Sequence, residues 1–398
     1  MRVIEQIKQK SKEDIMILPF LRQNTRTLLY GCGVLALGVA FGMSSVSTAA
    51  AAPLKIDVSG FYFASITSAD RNDNLTRTNM AQDAEIHFKA KTMLDSGLEI
   101  GLQVELEAMD VQNDPIDESY VYFQGGFGKV IIGAENGASY LGMVGSPDFV
   151  PGIRQYDNNL GEETLEANLK ISGTTLTHTI DDVNYSTAPE NISSDEMKFI
   201  YFTPRINGFR GGISYAPNNA NKSGGSHNVS STAEQDDIIS YHLDYSGDIG
   251  QDMTLAASFG YETADNAAGL TVLPAAADDP ETTSYGLKFG IGMFEFGGSF
   301  SDVQNFKGIR GQDIETYNVA ATYRMGATKL GVGYTDSSDD GQLGVRTAVD
   351  YEEWMIGGGT KLADGVSVGY FYQDAEASYA DGMTKDVSQV GATIALTF

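Results

Sequence analysis

Apolar and polar residues alternate one by one along most of the chain after residue 53. In the clearest run, Leu98, Ile100, Leu102, Val104 and Leu106 alternate with polar residues and glycine. In a β-strand, two such sets point to opposite faces. The same alternation recurs at 85–91, 239–246, 329–334 and 366–373. The pattern predicts many strands with one apolar face each.

The connections between these strands alternate in length. Short connections are expected at 94–97, 125–128, 204–209, 247–252, 292–293, 325–327 and 363–365. Longer ones are expected at 68–82, 110–116, 135–196, 217–236, 262–281, 302–312, 336–349 and 380–384. Short turns on one side and long loops on the other are typical of a transmembrane antiparallel β-barrel. We expect an all-β barrel of about sixteen strands over residues 53–398, or about eighteen if the alternating piece 169–179 adds a hairpin.

Composition excludes other classes of protein. A helical membrane protein is excluded, because no apolar run after residue 50 reaches the roughly 18 residues that a membrane helix needs. The formal net charge of −27 excludes nucleic acid as a partner. The surplus acids indicate solvated loops, an acidic pore, or a surface that faces lipopolysaccharide through divalent cations. The tyrosines, among them Tyr120, Tyr122, Tyr370 and Tyr372, suit membrane-interface girdles or the lumen.

The first 52 residues have the order of a secretory signal. Arg22 and Arg26 precede an apolar run at 28–43, and small residues follow. We expect cleavage near Ala51 or Ala52; the alternative is a membrane anchor.

Two further features of this segment bear on the gene and on the chemistry. Acidic residues before residue 15 suit a signal poorly, so translation starts at either Met1 or Met16. Cys32 is the one cysteine of the chain, which leaves the processed protein without disulfides or thiol chemistry. His87, His178, His227 and His242 are scattered along the sequence, so the sequence predicts neither a metal site nor a cofactor.

The C-terminal residues alternate up to the last one. Val390, Ala392, Ile394 and Leu396 form the apolar set, and Phe398 ends it. This ending resembles the assembly signal of outer-membrane barrels. The resemblance implies recognition of Phe398 by the barrel-assembly machinery, and a last strand that pairs with the first to remove both edges.

Two segments resemble strand–turn–strand units of a known family. They are SYVYFQGGFGKVIIG at 119–133 and YFTPRINGFRGGISY at 201–215. Both resemble the Gram-negative general porins, which are trimeric, sixteen-stranded channels of the outer membrane. The resemblance implies a homotrimer in contact with membrane lipid and lipopolysaccharide, which lets small hydrophilic solutes and ions diffuse through a water-filled pore. The alternatives are a substrate-specific channel or an outer-membrane enzyme on the same fold.

The resemblance also implies that the loop at about 135–196 folds into the barrel and narrows the pore. The candidate constriction residues are Asp148, Arg154, Asp157, Glu162 and Glu163 on the loop, with Lys89, Lys91, Glu105 and Glu107 on the lumen face of the second and third strands. The loop acids either attract cations or merely solvate the loop, and the wall charges either create a field or merely pair. Where the family often has arginine, this chain has Glu118 and Ala134, which puts the usual basic wall in doubt. We expect weak cation selectivity.

Overall fold

The computed structural model describes residues 54–70, 77–108, 116–154, 187, 192–220, 234–267, 277–341, 348–380 and 382–398. The expected signal segment lies outside these residues. Sixteen β-strands make up most of the described chain. They are β1 (Lys55–Asp70), β2 (Thr78–Met93), β3 (Glu99–Glu107), β4 (Ile116–Gly125), β5 (Gly128–Ala134), β6 (Met197–Phe202), β7 (Phe209–Asn218), β8 (Gln235–Gly250), β9 (Met253–Asn266), β10 (Glu281–Ile291), β11 (Phe294–Gln304), β12 (Ile314–Met325), β13 (Thr328–Asp339), β14 (Val349–Ala363), β15 (Val366–Tyr379) and β16 (Thr384–Thr397).

The strands form one closed antiparallel barrel. Each strand pairs with its neighbours in sequence, and β1 pairs with β16. At this closing pair Gly60 N–H donates to the Phe398 carbonyl, and Phe398 N–H donates to the Gly60 carbonyl, both at 3.1 Å. The expectation of sixteen strands is confirmed. Eighteen is wrong for the barrel, because the ladder closes with sixteen; the alternating piece 169–179 lies outside the described residues.

Short turns and long loops alternate around the barrel as the sequence predicts. The β2–β3 turn is typical of the short side: Leu94 N–H donates to the Leu98 carbonyl at 2.9 Å. Gly97 adopts a left-handed backbone there, with φ of 80°, which glycine tolerates without steric cost. The long connections include the stretch from β5 to β6, which begins with a short helix, α1 (Ala138–Leu141).

Among the described residues, no helix is long and apolar enough to cross a membrane.

The two faces of each strand differ in chemistry. On the β2–β3 ladder, Ala90 lies opposite Leu102 on the outer face, where Leu102 is exposed at the barrel surface. His87 lies opposite Glu105 on the inner face. The same division continues on β10, where Leu287 faces outward and is exposed, while Lys288 faces inward. The polar set of each strand therefore lines the lumen.

This division predicts the effect of exchanging charge between the faces. Replacing Leu287, in the middle of β10, by lysine should lower the free energy of unfolding by about 2–4 kcal/mol, because a cation on the lipid face at mid-membrane loses its hydration. Unfolding by urea in lipid vesicles measures this. The matched control is Lys288→Leu on the inner face, which should cost much less. Equal losses in the two variants would contradict the assignment of faces.

Candidate functional site

The chain that follows β5 enters the barrel and is tied to the inner wall by its backbone. We call residues 135–154, the first described part of the long connection, the inner loop. The amides of Ala138, Ser139 and Val144 donate to one serine hydroxyl each on three successive strands. The acceptors are Ser214 on β7 at 3.0 Å, Ser240 on β8 at 2.9 Å and Ser258 on β9 at 2.8 Å. These bonds satisfy loop amides that would otherwise be buried without a partner.

Further round the barrel, glycines on the inner wall leave room for the loop. A Cβ at Gly286 would lie 1.7 Å from the Val144 carbonyl oxygen, and one at Gly331 would lie 2.3 Å from the Phe149 ring. Phe149 also packs in a buried cluster with Met355 and Phe371 of the wall. The inner loop therefore occupies part of the lumen along β7 to β15.

Buried charges tie the two ends of the long connection together. The Lys198 ammonium on β6 donates to the carbonyl oxygens of Glu135, where the connection begins, and Ser194, near its end. On β9 the buried Glu262 carboxylate accepts from the Ile192 amide at 2.6 Å. Burial also raises the pKa of the side-chain carboxyl of Glu135, the residue whose backbone carbonyl accepts from Lys198. The connection is thus anchored at both of its described ends.

The lumen beside the inner loop keeps an open cavity of about 900 Å³. Charges of opposite sign line it on different sides. The acidic wall, as we name it, consists of Glu85, His87, Glu105, Asp117 and Glu118 on β2 to β4. The basic side is formed by Arg324, Lys329 and Lys361 at the ends of β12 to β14, and the inner loop adds Asp148 and Arg154. A small molecule in this cavity would lie between carboxylates on one side and cationic groups on the other.

Within the acidic wall, three side chains converge. His87 Nε2 lies 2.7 Å from Glu85 Oε2 and 3.3 Å from Glu105 Oε2. The Gln103 amide donates to the other oxygen of Glu105, Oε1, and so fixes that carboxylate. Glu107 lies directly opposite Glu85 on the ladder, which adds a like charge to the group.

A sequence profile of the Gram-negative porin family matches residues 34–381. The chain belongs to the Gram-negative porins. The closed antiparallel sheet, the polar lumen and the inner loop agree with this assignment. The protein is a channel-forming barrel of the outer membrane. A comparison with curated protein sequences gave no match.

Solved porin structures share the fold at low sequence identity. OmpF of Salmonella typhi, in complex with daunomycin, superposes with a TM-score of 0.56 at 16% identity, covering 86% of this chain and 98% of the other. OmpT, an outer membrane protein of Vibrio cholerae, gives 0.55 at 13%, covering 88% and 100%. The anion-selective porin from Comamonas acidovorans gives 0.53 at 13%, covering 87% and 100%. These likenesses establish the fold and nothing finer.

The structure places the candidate constriction residues of this porin in two groups. Glu105, Asp148 and Arg154 line the cavity. Lys89, Lys91 and Glu107 share the inner face but are not among the described residues that line it.

Lys91 Nζ lies 3.6 Å from Glu99 Oε2, a pair that connects β2 to the start of β3. Asp157, Glu162 and Glu163 lie outside the described residues. A role at the constriction stays a prediction for all nine candidates.

One of the two departures from the family pattern, Glu118, lies in the acidic wall. Glu118, where arginine is common, points inward and accepts from the Asn136 side-chain amide at 2.6 Å. Ala134 is buried at the end of β5. An arginine at 118 would have placed a positive charge beside the acids, whereas Glu118 adds a carboxylate to the β2–β4 wall. Ala134 lies on the same outer set of β5 as Ile132, so it does not alter the charge of this wall.

The basic side was not singled out from sequence, although a signal was present. Arg324 and Lys329 lie opposite each other on the ladder across the short β12–β13 turn, on the inner set of their strands. The alternation with Tyr323 and Leu330 assigns both to the lumen. Sequence alone does not show that they face the same cavity as Glu105, because that depends on how the closed barrel positions strands distant in sequence.

We predict that the serine contacts hold the inner loop in place. Ser240→Ala removes the acceptor of the Ser139 amide, and loss of a buried hydrogen bond costs about 1–3 kcal/mol. Hydrogen exchange at Ser139, measured by mass spectrometry, should therefore accelerate roughly tenfold or more. Ser68→Ala, on the exposed outer face of β1, is the control and should leave that exchange unchanged. Unaltered protection at Ser139 in the Ser240 variant would refute the tether.

Proposed function

We propose that this porin lets small hydrophilic solutes and ions cross the outer membrane by passive diffusion, without catalysing a reaction. The observation that carries the proposal is the open, charge-lined cavity between the inner loop and the wall. A wet lumen with fixed charges on two sides filters solutes by size and charge.

We further propose a weak preference for cations. The acidic wall concentrates carboxylates on one side of the cavity. Much of the basic side is neutralised locally: Lys329 Nζ lies 2.7 Å from Glu295, and Lys361 Nζ lies 2.7 Å from Asp364. The Lys361 ammonium also holds the pKa of the exposed Asp364 carboxyl below its usual value. The remaining field favours cations. A similar barrel is anion-selective, so the fold leaves the sign to particular side chains.

The reversal potential in a potassium chloride gradient tests this preference. At low salt we expect a reversal potential whose sign indicates a preference for potassium. At high salt this potential should decrease, because the Debye length falls below about 8 Å and the wall charges are screened. Glu105→Gln should move the potential towards zero. Glu352→Gln removes the same charge from the outer face of β14 and should leave it unchanged. A preference for chloride in the unaltered protein would refute the proposal, and current that saturates with one solute would indicate a substrate-specific channel.

We propose a homotrimer because one part of the barrel wall has much shorter strands than the rest. β5 and β6 have only 7 and 6 residues, whereas β8 and β9 have 16 and 14. A strand needs about 9–11 residues to cross the hydrocarbon layer. The low wall still carries an apolar outer face, in which Val121 lies opposite Leu102 and Ile132. A neighbouring copy that covers this face would shield it from the mismatch with lipid.

Photo-crosslinking tests both the assembly and its face. Cys32 is the one native cysteine, and it lies in the predicted signal segment. Val121→Cys, labelled with benzophenone maleimide and irradiated in micelles, should give dimers and trimers on a denaturing gel. The matched control, Leu287→Cys on the tall wall, should stay monomeric. Crosslinks from Leu287 alone would place the interface on the tall wall. Monomers from both variants would refute a trimer that packs through the low wall.

The remaining proposed partners follow from the outer face and the closing strand. Membrane lipid would contact exposed residues such as Leu287 and Val319. Lipopolysaccharide would contact the loop ends, where Asp336 lies opposite Glu352 on the outer face and divalent cations would bridge the like charges. The barrel-assembly machinery would bind β16 and Phe398 before the barrel closes.

A further inference from the structure

The acidic wall contains a group of side chains suited to more than a general negative field. Glu85, His87 and Glu105 each offer one ligand atom, and these three atoms lie within 4.8 Å of one another. Glu85 and His87 are two positions apart on the inner face of β2, and Glu105 faces His87 from β3. The ladder register therefore holds all three side chains on one patch of wall.

The spacing of these atoms suits a divalent metal that accepts an imidazole. Bond lengths of about 2.0–2.2 Å to nitrogen and oxygen put tetrahedral zinc ligands roughly 3.3 Å apart. The separation of His87 Nε2 from Glu105 Oε2 is 3.3 Å, and the 2.7 Å hydrogen bond to Glu85 Oε2 needs to open only slightly.

Neighbouring residues orient two of the three side chains. The Gln103 amide binds Glu105 Oε1, which leaves Oε2 directed at His87. The Phe61 ring meets the His87 ring edge to face, with ring centres 6.1 Å apart. Glu105 is only 8% exposed, so the group is fixed in the wall instead of moving in solvent. Supporting contacts of this kind are what a metal site requires from its surroundings.

We propose that Glu85, His87 and Glu105 form a binding site for zinc or a similar transition-metal ion on the wall of the pore. The cavity lies on the open side of the group, so water or a solute carboxylate can complete the coordination. A bound cation would also offset the repulsion between Glu85 and the directly opposed Glu107. The proposal of this site does not rest on the ion selectivity of the channel, because the site is tested by its affinity for zinc.

Calorimetric titration of the folded protein in detergent micelles with zinc chloride tests the proposal. The unaltered protein should bind zinc saturably, at least tenfold more tightly than magnesium, because magnesium prefers oxygen ligands in octahedral geometry whereas imidazole suits zinc. His87→Gln and Glu105→Gln should each weaken zinc binding roughly tenfold or more, the minimum expected for loss of a ligand.

Two controls keep the outcome decisive. Glu295→Gln removes an inward carboxylate that pairs with Lys329 and should leave zinc affinity unchanged. Heat-modifiable migration on gels should be the same in all variants, which shows that each barrel has folded. Equal affinities for zinc and magnesium, or zinc binding that is insensitive to His87→Gln, would overturn the site. Neither result would depend on the selectivity measured by reversal potential.

Discussion

The backbone amide and carbonyl groups of a chain in a bilayer have no water to bind, and the rest of this structure depends on that constraint. A strand satisfies them only through its neighbours, so a sheet in lipid must have no free edge. The β1–β16 ladder meets the requirement. Once the sheet is closed, its outer face can be apolar and its inner face polar. The interior is therefore a lumen lined by polar and charged side chains instead of a packed core.

The same constraint applies to the inner loop, whose irregular backbone would be costly at membrane depth without partners. Serines on β7, β8 and β9 accept from its amides, and Lys198 donates to carbonyls at both ends of the long connection. Glycines on later strands leave space for it. Wall residues thus bind the loop mainly through its backbone, which leaves its side chains and the opposite wall to determine the charge of the opening.

Much of the fold could be predicted from sequence, because the period of two is a local property that each strand shows by itself. The inward position of Glu105 and the short turn at Gly97 follow from that alternation. The site could be predicted only in part. His87 is isolated in the sequence, and its approach to Glu85 and Glu105 depends on the register of β2 against β3. The approach of Arg324 to the same cavity depends on closure, which no local pattern encodes.

The pairing of β1 with β16 also determines the order in which the barrel can fold. Fifteen of the sixteen strand pairings join strands adjacent in sequence, and those across short turns assemble quickly because little chain entropy is lost. The contact between Phe61 and Thr397 joins opposite ends of the barrel sequence. High contact order makes this step slow. Until it occurs, the sheet has two long unpaired edges that invite aggregation. The slow closing step of folding is thus also the step that removes these aggregation-prone edges.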